Sequence, residues 1–320
     1  MSSSYPVANL ERDQWILDRR NQRETLDPQR PYAFFVEEET SAWGSVAPVA
    51  TVFLTNRECP WRCVMCDLWR NTLTMSVPPG AIPAQIDYAL ARLPPARELK
   101  LYNNGSFFDP GAIPVEDHSS IADRANNFER LIVESHPCLV GEACLRFREQ
   151  LNCRLEIAMG LETVHADILP RLNKRMSLEQ FSTAAAFLRV HNIDLRVFIL
   201  VKPPFMHEHE AVYWAERSLD FAFDCGATAV ALIPTRGGNG AMEAIAASDQ
   251  FSPPGIEMLE AAMSYGLALK RGRVFVDLWD VEKIHTCPAC MASRISRLRE
   301  MNLSQINLAP LHCTNCSPAN

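Results

Sequence analysis

Short apolar segments alternate with amphipathic segments along most of this chain. Apolar runs of about four to eight residues bounded by turn residues predict strands, and apolar positions recurring every three to four residues predict helices. The predicted strands are VATVFLT (49–55), RELKLYNNG (97–105), LIVES (131–135), CRLEIAMGLE (153–162), DLRVFILVKPP (194–204) and ATAVALIP (227–234). The predicted helices cover 77–93, 117–130, 139–151, 177–191 and 208–224.

This order of elements predicts an α/β fold with a parallel sheet and helices outside it. A closed barrel of this type has eight strands, so six strands predict a partial (β/α)6 TIM-like barrel with its chemistry at the C-terminal strand ends. We expect an N-terminal extension (1–48) packed on the barrel (49–270), followed by a small Cys-rich C-terminal lobe (271–320). Within this lobe FVDLWD (275–280) predicts a late strand whose Asp277, Trp279 and Asp280 are substrate candidates.

The composition favours a cytoplasmic enzyme. The 320 residues are 48% hydrophobic, yet no stretch approaches the roughly 20 apolar residues that span a bilayer. The first twenty residues lack the apolar core of a secretory signal. Seven of the eleven cysteines fall in closely spaced groups, which favours metal binding over a disulfide framework.

The charge pattern argues against a general nucleic-acid binder. The chain has a net charge of −7, with 26 arginines and five lysines, whereas such proteins carry a basic surface. RISRLRE (294–300) is the densest basic run, and we interpret it as a solvated helix face.

The strongest chemical signal is the segment RECPWRCVMCDLWR, which follows the first predicted strand. Its cysteines Cys59, Cys63 and Cys66 are spaced CxxxCxxC. Three thiolates on one loop can hold a [4Fe–4S] cluster but leave one iron without a protein ligand. An open coordination position is where a small molecule binds and is activated.

This loop resembles the cluster loop of the radical S-adenosylmethionine (SAM) superfamily. The resemblance implies that SAM binds the open iron and that an electron cleaves it to methionine and a 5′-deoxyadenosyl radical, which abstracts hydrogen from a substrate. It also implies a partner such as flavodoxin or ferredoxin as electron donor. Met65 stands where the family usually carries an aromatic residue near the adenine, and a thioether can fill the same space.

Later strand ends resemble the branch that contains oxygen-independent coproporphyrinogen oxidase, the Elongator radical SAM subunit and the archaeosine-forming radical SAM enzyme. In YNNGSFFD, residues Asn103 to Ser106 take the place of the turn that receives the SAM amino group; Asn104, Gly105 and Ser106 are the SAM-binding candidates. Glu134 aligns with a glutamate that contacts the methionine moiety, and Glu162 with the residue that binds the ribose hydroxyls.

The same resemblance aligns a basic residue with the SAM carboxylate. Lys174 takes this position, and Arg171 and Arg175 are close enough in sequence to replace it. Arg196 and Lys202, in and after the fifth strand, are further pocket candidates.

A second cysteine group lies near the C-terminus. Cys287 and Cys290 form one CxxC pair, and Cys313 and Cys316 form another. Four thiolates can complete a structural zinc site or ligate an auxiliary [4Fe–4S] cluster, and unliganded thiols are the third interpretation. His285 and His312 lie beside these cysteines and are possible substitute ligands. Cys138, Cys144, Cys153 and Cys225 lack ligand spacing and are interpreted as small core residues. His207 and His209 lack the i, i+4 spacing of a metal pair on a helix and are interpreted as part of a charge-rich helix start.

The sequence therefore predicts a radical SAM enzyme whose catalytic residues and substrate are unknown, either a small molecule or a biosynthetic intermediate. One alternative is a tRNA- or nucleobase-modifying enzyme resembling archaeosine formation. An alternative of another class is a non-catalytic iron–sulfur or zinc protein with a redox or scaffold role. Polar residues at successive strand ends favour the enzyme.

Overall fold

The fold is one curled, mostly parallel sheet with helices on its outer face. A computed structural model describes residues 4–284 and 287–316. The eight strands of these residues follow one another in the order β1 to β8, with β1 antiparallel to β2 and all other neighbours parallel. The strands are β1 Ala33–Thr40, β2 Val46–Phe53, β3 Glu98–Tyr102, β4 Arg130–Glu134, β5 Arg154–Glu162, β6 Asp194–Val201, β7 Ala229–Pro234 and β8 Arg273–Val276.

Helices connect the parallel strands and pack against the sheet. They are α1 Asn9–Leu17, α2 Ala81–Leu90, α3 His118–Ala125, α4 Glu142–Arg148, α5 Leu178–Val190, α6 Ala211–Asp224, α7 Ala241–Ala246, α8 Ile256–Leu269 and α9 Met291–Ser304. The start of α5 has a capping box in which Ser177 and Gln180 satisfy each other's backbone amides. No helix among the described residues is both long and apolar enough to cross a membrane.

The predicted fold class, an α/β partial barrel with a Cys-rich C-terminal region, is confirmed. The six predicted strands are β2 to β7, and the sheet continues beyond them at both edges. The late strand predicted at 275–280 is β8, which begins at Arg273 and ends at Val276. Sequence reasoning missed β1, although AFFVEEET is rich in aromatic and β-branched residues at its start.

Each parallel strand has one face toward the helices and one toward the barrel interior. On β5, Leu155, Ile157 and Met159 belong to the hydrophobic core, while Glu156 between them is fully buried among arginines. This alternation follows from the two-residue period of a strand.

The lower interior of the barrel is filled by a buried ion-pair network. Glu156 accepts hydrogen bonds from Arg130 at 2.7 Å, Arg196 at 2.6 Å and Arg273 at 2.9 Å. Glu39 of β1 pairs with Arg196 at 2.5 Å and with Lys100 at 2.6 Å. Burial disfavours the charged form of Glu156, but these cations outweigh it and lower the pKa of Glu156 to about 2. The network closes the barrel below the C-terminal strand ends.

Candidate functional site

The predicted cluster loop leaves the C-terminal end of β2. Cys59, Cys63 and Cys66 are partly exposed, and the Cys66 amide donates to the Cys63 carbonyl at 3.2 Å. Burial raises the pKa of each of these three thiols to about 12. A metal that binds the thiolates would reverse this preference for the protonated form. Met65, beside Cys66, is partly buried and packs against the core.

Two asparagines hold this loop in place. Asn239, just after β7, donates from Nδ2 to the carbonyls of Val64 at 2.8 Å and Cys66 at 3.0 Å. Asn173 donates from Nδ2 to the Arg62 carbonyl at 2.8 Å. Sequence reasoning missed both residues. The available signal for Asn239 is its place in the sequence, since RGGNGAM puts a polar residue soon after a strand. The C-terminal ends of parallel strands lie at one edge of the sheet, so Asn239, which is buried, lies at the same edge as the other candidates.

Glu134 holds the turn that follows β3. Its Oε1 accepts hydrogen bonds from the amides of Asn103 at 2.7 Å and Gly105 at 3.3 Å. Burial raises the pKa of Glu134 to about 7, against the lowering effect of these amides. The sequence anticipated Glu134 as a SAM contact, and the structure places it as the support of the predicted SAM-binding turn.

This turn approaches the cluster loop closely. A methyl group on Gly105 would lie 3.1 Å from Cys59 Cβ, so glycine permits the approach. Asn104 has a left-handed φ of 54°, and its Oδ1 accepts a hydrogen bond from Tyr32 at 2.9 Å. The side-chain amide of Asn103 is fully buried and neither polar atom has a partner among the described residues.

Ser106 and His136 brace the turn against the cluster loop. The Ser106 hydroxyl accepts a hydrogen bond from the His136 amide at 2.7 Å. The His136 ring stacks on Trp61, which lies between Cys59 and Cys63, with ring centroids 3.9 Å apart. Burial lowers the pKa of His136 to about 4, so the ring is neutral at pH 7. Ser106 is therefore engaged in positioning, and His136 is a site residue that the sequence analysis missed.

Glu162 and Lys174 form a buried ion pair at the end of β5. A bulge separates Gly160 from Glu162, and Glu162 adopts a left-handed φ of 66°, a conformation that costs a non-glycine residue about 1–3 kcal/mol. Burial disfavours the charged form of Lys174, but the Glu162 carboxylate raises its pKa. The structure therefore brings the predicted ribose and carboxylate ligands together, beside the cluster loop.

The other basic candidates of the sequence analysis lie elsewhere. Arg175 donates to Asp13 at 2.7 Å, and Arg171 donates to Gln250 at 2.9 Å. Arg196 is bound within the network below the site. Lys202, just after β6, donates to Ser252 at 2.6 Å. Neither of the two alternatives to Lys174, Arg171 and Arg175, is paired with Glu162.

Aromatic side chains form one wall of the barrel mouth. Trp279 is 57% exposed, and its ring lies 5.3 Å from Phe35 and 6.3 Å from Phe53. The wall continues through Tyr102, whose ring lies 5.9 Å from Phe53. Asp277 is tied to Arg236 at 2.9 Å. Trp279 is thus the late-strand candidate with an open aromatic face.

An arginine-rich cleft is lined in part by residues of the cluster loop. Its volume is about 470 Å³, and the lining residues are Arg23, Arg57, Glu58, Pro60, Arg62, Thr74 and Asp109. Glu58 pairs with Arg20 at 2.7 Å, with Arg62 at 3.1 Å and with Arg23, whereas Arg57 is exposed.

The C-terminal cysteines converge as predicted. The sulfur atoms of Cys287, Cys290, Cys313 and Cys316 all lie within 4.8 Å of one another. His312 is exposed and is not a member of this group, and His285 lies outside the described residues. The stacked rings of His207 and His209 are 5.7 Å apart, with no third metal ligand grouped near them in the described chain.

The residues present fit a cluster with bound SAM. Three thiols share one loop, a glycine lets the next turn approach it, and a cation paired with a carboxylate lies beside it. The unpaired amide of Asn103 is the kind of buried polar group that a ligand would satisfy.

Comparisons with known proteins find chains of similar sequence. No family model matches the chain. It is 27% identical over 288 residues to archaeosine synthase subunit beta from Methanosarcina acetivorans, covering 83% of this chain and 81% of that protein. It is 25% identical over 248 residues to an uncharacterized protein of Methanocaldococcus jannaschii, covering 72% and 68%.

Two solved structures are similar in part. Elp3 from Methanocaldococcus infernus has a TM-score of 0.48 at 15% identity and matches 69% of this chain. Coproporphyrinogen III oxidase from Escherichia coli, a radical SAM enzyme, has a TM-score of 0.46 at 11% identity and matches 84%. This chain spans 58% of each of those two chains. The sequence similarity to archaeosine synthase subunit beta agrees with the predicted resemblance to the archaeosine-forming enzyme.

Proposed function

We propose that this protein is a radical SAM enzyme. Cys59, Cys63 and Cys66 would hold a [4Fe–4S] cluster, and cluster and SAM would bind between the cluster loop, the 103–106 turn and the Glu162–Lys174 pair. The observation that carries this proposal is the buried Glu162–Lys174 pair beside a three-cysteine loop. A cluster held by these cysteines would supply the one electron for reductive cleavage of SAM to methionine and a 5′-deoxyadenosyl radical, which would take a hydrogen atom from the substrate and leave 5′-deoxyadenosine and a substrate radical.

The residues of the chain would orient SAM and exclude water. Lys174 has three N–H donors, of which one faces Glu162 and the others are available to the SAM carboxylate. The second oxygen of Glu162 would accept from a ribose hydroxyl. Glu134 engages the amides of Asn103 and Gly105, and the Ser106 carbonyl accepts from the Asp109 amide at 3.1 Å. The carbonyls of Asn103, Asn104 and Gly105 would therefore receive the SAM amino group.

The reaction consumes an electron, so it requires a one-electron donor such as reduced flavodoxin or ferredoxin. The arginine-rich cleft supports this partner because it is close to the cluster cysteines. Arg57, Glu58, Pro60 and Arg62 of its lining lie beside Cys59 and Cys63 in the sequence of the cluster loop. Arg57, which is exposed at this cleft, would attract an acidic donor toward the cluster loop.

A second candidate is modification of a nucleobase, resembling archaeosine formation. The relative from Methanosarcina acetivorans is named archaeosine synthase subunit beta, and the aromatic wall that includes Trp279 suits a planar ring. The word "subunit" in that name also supports a partner chain. Salt-dependent binding to tRNA would test this candidate, since phosphate contacts make affinity fall steeply with salt.

Anaerobic reconstitution tests the primary proposal. After addition of iron and sulfide, we expect a [4Fe–4S] electron paramagnetic resonance signal in the reduced protein that shifts when SAM is added. The variant with Cys59, Cys63 and Cys66 all replaced by alanine should lack this signal. A fully loaded, reduced protein whose signal is unchanged by SAM would support the non-catalytic alternative.

A further inference from the structure

The spacing of the four C-terminal sulfurs distinguishes a single ion from a cluster. All four lie within 4.8 Å of one another, and Cys290 Sγ lies 3.7 Å from Cys316 Sγ. Zinc binds thiolate sulfur at about 2.3 Å, which places the corners of a tetrahedron roughly 3.8 Å apart. A [4Fe–4S] cube holds each thiolate on a different iron, so its four sulfurs lie farther apart.

Arg294 provides a counter-charge for such a site. Its Nε donates to Cys290 Sγ at 3.2 Å, and a terminal nitrogen lies 3.9 Å from Cys316 Sγ. Glu260 of α8 holds both Arg294 and Arg297. Four thiolates on a divalent ion carry excess negative charge, which a buried guanidinium offsets while it orients the ligands. RISRLRE is therefore only partly a solvated helix face, since Arg294 and Arg297 are buried.

The helix that starts at this site covers the free edge of the sheet. Cys290 is the residue before α9. Near the other end of α9, Asn302 exchanges hydrogen bonds with the backbone of Val276 at 2.8 and 2.9 Å. Gln305 accepts a hydrogen bond from the Val274 amide at 2.8 Å and donates one to the Val274 carbonyl at 2.9 Å.

These amide side chains take the place of a ninth strand. They satisfy backbone groups on the edge of β8 that would otherwise be exposed, and an exposed edge invites aberrant pairing. The same helix also contacts the opposite edge of the sheet, because Thr40 of β1 donates to the Leu303 carbonyl at 2.5 Å. The position of α9 thus determines how both edges are protected.

We propose that Cys287, Cys290, Cys313 and Cys316 bind one zinc ion, and that this zinc fixes α9 across the open seam between β8 and β1. The site has no open coordination position, so its role is structural. Zinc supplies folding energy to the short C-terminal segment, and α9 transmits that constraint to the edge of β8. This role does not depend on the proposed radical chemistry.

Metal analysis of the full-length chain tests the identity of the ion. The triple variant Cys59→Ala, Cys63→Ala and Cys66→Ala should retain about one zinc per chain and no acid-labile sulfide. Adding Cys313→Ser and Cys316→Ser should remove the zinc, whereas adding Cys225→Ser should not. Iron and sulfide retained in the triple variant, or no bound metal, would overturn the zinc site. If the triple variant does not fold, wild-type protein grown with cobalt should show the visible bands of tetrahedral thiolate-bound Co²⁺.

Hydrogen exchange tests the role of α9. In protein with Cys313→Ser and Cys316→Ser, the amides of Val274 and Val276 should exchange at least about tenfold faster, while that of Ile132 in the central strand β4 stays protected. The variant Asn302→Ala with Gln305→Ala should accelerate the same two amides and keep its zinc. Unchanged exchange at both amides in zinc-free protein would refute the proposed link between the metal and the sheet edge.

Discussion

Glu162 and Lys174 are paired directly above Gly160, and the pair occupies the space that a side chain at this glycine would need. A methyl group at Gly160 would collide with Glu162 Oε1 and with Lys174 Nζ. Both atoms are the far ends of flexible side chains, so the fold can accommodate the methyl group by moving the pair. The geometry of the proposed SAM ligands thus depends on the absence of a side chain at one position of β5.

Gly160→Ala should therefore weaken SAM binding without unfolding the protein. We expect the dissociation constant for SAM, measured by anaerobic calorimetry on reconstituted protein, to rise at least about tenfold, because displaced ligands no longer match SAM. Gly141→Ala is the control, since Gly141 has open space around it and an extended backbone. Equal SAM affinity in the two variants would contradict the placement of SAM at this pair.

Replacing Lys174 tests the pair as a buried structural unit. Lys174→Met leaves the buried Glu162 carboxylate without its partner, which typically costs 3–5 kcal/mol. We expect a loss of about that size in the free energy of unfolding, measured with urea, together with loss of SAM binding. Arg171→Met removes a basic residue three positions away that does not contact Glu162, and should cost about 1 kcal/mol or less. If Lys174→Met lowers the free energy of unfolding no more than Arg171→Met does, the result would contradict a stabilising ion pair between Glu162 and Lys174.

The raised pKa of Glu134 predicts a pH-dependent stability. Burial raises this pKa from 4.5 to about 7, so between these values the folded state binds more protons than the unfolded state, and stability falls as pH rises. Glu134→Gln has no such proton, and its stability relative to wild type should improve by roughly 3 kcal/mol between pH 4.5 and 7. Urea unfolding of both cluster-free proteins across this pH range measures the difference between their free energies of unfolding. A difference that stays constant with pH would contradict the raised pKa of Glu134.

Glu156 should respond to pH in the opposite direction. Its pKa is lowered to about 2 because three arginines outweigh burial, so its stabilising effect is present above pH 4.5 and is lost as pH falls toward 2. Glu156→Gln should cost about 3–5 kcal/mol at pH 7, and the difference from wild type should shrink below pH 4.5. Unfolding of both proteins monitored by circular dichroism, at pH 7 and at pH values below 4.5, gives the cost of the substitution and its dependence on pH. A constant difference down to pH 2 would show that Glu156 is not held ionised.

Much of the fold was predictable because its strands are short segments rich in apolar residues. On the helix-facing side, strands β2 to β7 carry buried apolar residues such as Val197 and Ile199. This apolar pattern can be read from the sequence without knowledge of tertiary contacts. β1 was missed because its acidic end, which includes Glu39, resembles an exposed turn. Glu39 is buried only because Arg196 and Lys100 come from strands that are distant in sequence.

The cysteine groups were predictable from spacing, whereas the partners of single polar residues were not. Glu134 was predicted to contact SAM, and its hydrogen bonds to the backbone amides of the neighbouring turn were not anticipated. Glu162 and Lys174 were assigned to different parts of SAM, and their pairing depends on a bulge and a glycine that no local pattern reveals. Ion pairs between segments that are distant in sequence can be identified only from the three-dimensional structure.

The production of 5′-deoxyadenosine tests the central claim most directly. Reconstituted wild-type protein, reduced with dithionite in the presence of SAM, should release 5′-deoxyadenosine and methionine in equal amounts, detected by chromatography and mass spectrometry. The variant with Cys59, Cys63 and Cys66 replaced by alanine should release neither. A wild-type protein that holds a reduced [4Fe–4S] cluster and yields no 5′-deoxyadenosine with any candidate substrate would contradict the account.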